Sequence, residues 1–152
     1  MYLFLKLLHI LSVIIAIGSN LSYFIWLQRS KQQQYLLFSL KGIKFLDEKI
    51  ANPAYFISLF TGLCMCYIRG INPLNIDWLF FSLLLFSMMG IVGLGLYSSA
   101  LSNQIKMLER YDLDPKSYYK AEKKQTIVGI ILIIIALIIV TLMVFKPSNI
   151  IL

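Results

Sequence analysis

Long apolar runs alternate with short polar stretches along this chain, and the spacing within both points to helices. Four runs, over about 2–27, 52–71, 77–100 and 126–146, are each sufficient to cross a hydrocarbon core of about 30 Å at 1.5 Å per residue. The second opens on Asn52-Pro53, which reads as an N-cap followed by proline at the first helical position. The third opens on Asp77-Trp78, and the fourth carries no charge before Lys146-Pro147. The expected architecture is one all-α domain over residues 1–152. It is a four-helix transmembrane bundle whose helices extend beyond the bilayer on the cytoplasmic side.

Polar residues interrupt the first run on one side only. Tyr2, Lys6, His9, Ser12, Ala16, Ser19, Asn20 and Tyr23 recur at three- and four-residue steps and so form one stripe. That stripe faces protein, leaving leucine, isoleucine and valine for lipid. Ser12 and Ala16 are small enough for close helix packing, and Gly90 and Gly93 offer the same on the face of span three that carries Tyr97. Between spans one and two, "KQQQYLLFSLKGIKFLDEKIANP" spaces Leu36, Leu40 and Ile43 at helical intervals. This fits an interfacial amphipathic helix or a continuation of span one. In the later connection, "DLDPKSYYKAEKK" offers Asp114 as an N-cap with Pro115 in the first turn, joining two projecting helices tightly.

Composition supports the lipid setting. Hydrophobic residues make up 59% of the chain and charged ones 14%, with a mean hydropathy of +0.79. That is too few charges to clothe a soluble domain of this length. The net charge of +7 changes the picture through its placement. Arg29, Lys31, Lys41, Lys44 and Lys49 lie between spans one and two, and Lys106, Arg110, Lys116, Lys120, Lys123 and Lys124 between spans three and four. These are eleven of the fourteen basic residues, so both long connections belong in the cytoplasm and both termini outside. Tyr2, Tyr67 and Trp78 would mark the outer interface, and Tyr23, Trp26, Tyr55 and Tyr97 the inner one. Charge dispersed among apolar runs suits anionic headgroups and excludes a nucleic-acid face. Ala16-Ile17-Gly18 has the small residues of a signal cleavage site, but the apolar run continues past it and the basic cluster follows. An uncleaved first helix is therefore expected.

His9 is the one histidine, and it shares a helical face with Lys6. Ionisable groups within spans face a bundle interior. Its plain reading is a packing residue hydrogen-bonded to a neighbour such as Ser82 or Thr141, with Lys6 reaching to the interface. Its chemical reading is an axial ligand of heme b, or less readily a copper ligand, with Lys6 pairing a heme propionate. Met65, Met88 and Met89, or another subunit, are the second-ligand choices, because the lack of another histidine excludes a bis-histidine heme within one chain. Counted at 1.5 Å per residue from the outer edge, His9 lies about 9 Å deep and Met88 and Met89 roughly 16–18 Å. Cys64 and Cys66 point about 200° apart on a helix and read as core thiols. All seven acidic residues fall in connections or at span ends, and no serine has a nearby base, since the one histidine is His9. The glycines of "GIVGLG" follow no strand and make no phosphate loop.

The stretches "YLFLKLLHILSVIIAIG", "NPAYFISLFTGL" and "LMVFKP" resemble the four-span bacterial membrane proteins grouped as domain of unknown function 2269, over about residues 2–147. The resemblance implies an inner-membrane location and four spans, with no reaction attached. The opening also resembles the first helix of a wider group that includes the copper-resistance D proteins and a heme-b-binding membrane protoporphyrinogen oxidase. There a histidine follows "LK-x-L", a place His9 matches, but this chain lacks the oxidase's other histidines.

Without a catalytic pattern the chain reads as an accessory or assembly subunit acting by helix association, not as an enzyme. Its partners would be the lipid bilayer and other membrane subunits or further copies of itself. A heme- or copper-binding redox protein is the alternative, and a small transporter working as an oligomer the second.

Overall fold

The computed structural model describes residues 1–30, 33–110 and 115–147. Lys31 and the expected cap at Asp114 lie outside the described residues. No strand occurs among them, and four helices are long and apolar enough to cross a membrane. Helix α1 spans Tyr2–Arg29. Helix α2, Gln33–Leu46, passes through a π-helical turn at Asp47–Ala51 into α3, Asn52–Ile68. Helix α4, Asp77–Ile91, passes through a second π-turn at Val92–Tyr97 into α5, Ser98–Glu109. Helix α6 runs Pro115–Phe145.

This corrects the reading of Asn52-Pro53. Asn52 has helical dihedrals, φ −61 and ψ −46, and its N–H bonds the Asp47 carbonyl five residues back. It is therefore no cap, and Pro53 lies inside a continuous helix. Proline has no N–H to donate, and its ring presses on the carbonyl four residues earlier. Widening the preceding turn to five-residue hydrogen bonding gives that ring room. The segment with Leu36, Leu40 and Ile43 is thus not part of span one; it is the beginning of the helix that runs on into span two. The helix of span three likewise continues past residue 100 to Glu109.

The helices run up, down, up and down. The outward faces are apolar, as at Phe4, Ile14, Phe60, Ile91 and Leu137. The stripe on α1 does face protein: Ser12, Ala16 and Tyr23 are buried. At the end holding the N-terminus, the Arg69 guanidinium lies 4.3 Å from the Tyr2 ring centre and Lys146 Nζ lies 5.7 Å from that of Trp78. Gly70, at φ 64, ends α3 in the left-handed region. There its N–H bonds the Tyr67 carbonyl and that of Ile71 bonds Cys66, closing the helix with paired carbonyls. At the other end α2 packs on α5 through buried Leu40, Ile43, Leu101 and Ile105, with Lys41 Nζ 2.7 Å from Glu109 Oε1 at the rim.

Candidate functional site

The stripe on α1 meets α3 and the first π-turn at two polar stations. At the upper one, His9 Nδ1 lies 2.7 Å from the Ser58 carbonyl and 3.2 Å from Thr61 Oγ1. A carbonyl only accepts, so Nδ1 carries the proton, and in the neutral ring Nε2 holds the lone pair. Gly62 makes room for the ring: a Cβ there would stand 3.3 Å from His9 Cε1. Ser82 and Thr141 are not partners, since their hydroxyls bond the Trp78 and Leu137 carbonyls of their own helices.

The lower station is the wall of a cleft of about 420 Å³ between all four long helices. Asn20 Nδ2 donates to Tyr55 Oη at 2.7 Å. Tyr23 Oη donates to Asp47 Oδ1 at 3.4 Å, and Asn52 also bonds this carboxylate. Gln125 Nε2 donates to Tyr97 Oη at 3.5 Å, and Tyr55 meets Phe86 edge-on at 6.1 Å. Glu48 and Thr126 add further polar groups, and the rest is apolar, with Phe24, Leu59, Met89, Leu132 and Ile133 among the lining.

Both π-turns border this cleft, Asp47 and Glu48 from the first and Gly93, Leu94 and Tyr97 from the second. A π-turn interrupts the regular helical ladder, and such turns recur at functional sites. The consequence here is concrete: the first turn and the unbroken helix around it carry Asp47 to the cleft.

The candidate ligands differ in burial and in their place relative to the cleft. Lys6 and Met88 are exposed, Met65 and both cysteines half-buried, and Met89 is buried in the core. The cleft is lined by Met89 but not by His9, Lys6, Met65 or Met88. Among the described residues no three histidine, cysteine or acidic side chains gather as a metal site. Gly90 and Gly93 are not where a neighbouring helix presses close. A Cβ at Gly90 would meet nothing within 4 Å, and one at Gly93 only Leu132 at 3.9 Å, because both border the cleft. The tight glycines are Gly42 under Trp26 and Gly62 under His9, with Gly129 beside the Tyr97 ring.

Four apolar helices with this topology accord with a family match over residues 3–147, to predicted integral membrane protein DUF2269. The chain belongs to the DUF2269 family. No curated protein and no solved structure matches it.

By sequence alone Asp47 falls in a connection and Asn52 at a helix start. The overlooked signal was the helical spacing of Leu36, Leu40 and Ile43, which continues through Asp47 to Ile50 and Ala54.

Proposed function

We propose that this DUF2269 protein is a non-enzymatic accessory component of the bacterial inner membrane that holds an amphipathic molecule in its interhelical cleft. The supporting observation is the two-sided chemistry of that cleft, polar around Asn20, Asp47 and Tyr55 and apolar along Phe24, Leu59 and Leu132. Its volume lies in the range of small-molecule sites, about 300–1,000 Å³. The molecule would mediate or regulate association with other membrane subunits or with further copies of the chain. Gly90→Leu tests this reading, since the new side chain enters the cleft rather than a packed contact. Protein purified in mild detergent should carry a bound amphiphile detectable by mass spectrometry, and the variant should lose it while remaining folded. Equal content in both would refute cleft binding.

The basic connections support an orientation with both termini outside. A reporter active only in the cytoplasm, fused after Leu152, should be silent; strong signal would reverse the topology.

A second reading rests on His9. Donation from Nδ1 to a backbone carbonyl is the arrangement that orients many metal-ligating histidines, with Nε2 toward the metal. Met65 follows Thr61 by one turn on α3, and Lys6 would meet a heme propionate. Purified protein from heme- and copper-replete cells should then show a Soret band or bound copper that His9→Ala removes. A colourless, metal-free preparation refutes this reading.

A further inference from the structure

We propose that the cleft selects amphiphiles with an ammonium head, and that the Asp47 carboxylate is the group that recognises it. This rests on the cleft-binding reading above and names the class of molecule bound.

The argument begins with charge. The protein carries +7 overall, yet its cleft is lined by Asp47 and Glu48 and, among the described residues, by no lysine, arginine or histidine. Glu48 has Lys44 Nζ at 3.8 Å, outside the lining set. Asp47 receives a long bond from Tyr23, and Asn52 also bonds it. A carboxylate offers about four lone-pair sites, and 3.4 Å is beyond the usual range for a hydroxyl donor, so among the described residues these two donors leave accepting capacity on it. An anionic head would meet two carboxylates and desolvate against them. An alcohol would supply a single hydrogen and no charge. An ammonium supplies three donors and the missing positive charge.

The surroundings favour the same head. Tyr23, Tyr55 and Tyr97 border the polar end, and aromatic faces attract ammonium groups in sites that exclude water. The apolar wall formed by Leu59, Met89 and Leu132 then accommodates an alkyl chain. A membrane lipid with an amine head and a free long-chain amine share this chemistry.

Photolabelling distinguishes the possibilities. The full-length protein in dodecyl maltoside is exposed to a dodecylamine bearing a mid-chain diazirine, and to the matching alcohol and carboxylic acid. Mass spectrometry compares labelling at Met89 and Leu132 with labelling at outward-facing Phe4 and Ile14, which corrects for micelle partitioning. The amine should favour the cleft positions about tenfold more than the alcohol does, with the acid lowest. Asp47→Asn should remove the amine's advantage, and Asp47→Glu should retain most of it. Equal cleft labelling by amine and alcohol overturns the ammonium proposal while leaving cleft binding intact. Labelling that favours the cleft for none of the probes overturns both. The comparison of the three heads on the wild-type chain holds even if Asp47→Asn misfolds. Competition by added phosphatidylethanolamine would identify a lipid head as the occupant, and competition by hexylamine alone a free amine. Competition by neither counts against recognition of the head.

Discussion

The Tyr23 and Tyr97 rings stack with their centroids 6.4 Å apart and their planes 16° from parallel, tying the first long helix to the third. Both rings are buried, and both border the cleft. Tyr97 also rests against Gly129 of α6, where a Cβ would stand 3.5 Å from the ring. One ring therefore organises three helices around the polar end of the site. Tyr97→Ala should destabilise the bundle by about 3 kcal/mol through lost packing, whereas Tyr97→Phe, which loses only the long bond from Gln125, should cost under about 1 kcal/mol. Thermal unfolding in detergent measures both, and equal losses would show that the hydroxyl rather than the ring matters.

Gly62 and Gly90 should respond oppositely to alanine. At Gly62 the new methyl group meets the His9 ring at 3.3 Å, and displacing that ring should cost about 1 kcal/mol. At Gly90 the space is open, so the better helix former should be neutral or gain up to about 1 kcal/mol. A stability comparison of the two variants checks this, and a larger loss at Gly90 would contradict the open space there.

His9→Ala removes the bond to the Ser58 carbonyl, an interhelical bond of the kind worth roughly 0.6–2 kcal/mol within membranes. Because Ser12 and Ala16 continue to pack on the same stripe, the fold should survive. Retained helicity by circular dichroism with a modestly lower unfolding midpoint is the expected result. Complete loss of folded protein would assign His9 a larger structural role.

Lys41 and Glu109 form a close pair, but their side chains are 54% and 45% exposed. Replacing either by alanine should leave the unfolding midpoint close to that of the wild type, because water screens so exposed a pair. The difference from wild type should shrink further in high salt, as unfolding at two ionic strengths would measure.

The polar stripe on α1 was legible because helical periodicity places its residues on one side whatever the partner. Ser12, Ala16, Asn20 and Tyr23 all face protein, and Asn20 bonds across to Tyr55. Asp47 was hidden by a local signal with two readings. An asparagine before a proline marks a helix start in most contexts, and only the widened turn before Pro53 allows the helix to continue through it. The glycines misled for a related reason. Their lack of a side chain permits close approach, but the opposing surface decides whether approach occurs. A Cβ at Gly93 would meet Leu132 only at ordinary contact distance, 3.9 Å, whereas one at Gly62 would press on His9 at 3.3 Å.

What the sequence alone determined is the all-helical architecture, the four runs long enough to cross a membrane and the protein-facing side of the first helix. These follow from hydropathy, length and the 3.6-residue repeat, properties each segment possesses by itself. What only the tertiary structure decided is which polar groups meet: His9 with Ser58, Asn20 with Tyr55, and Tyr23 with Asp47 beside a cleft lined by all four long helices. Those meetings depend on helix register and on two widened turns. An extra residue within a turn rotates every later side chain about the helix axis, and no local propensity specifies the partner that rotation brings into reach.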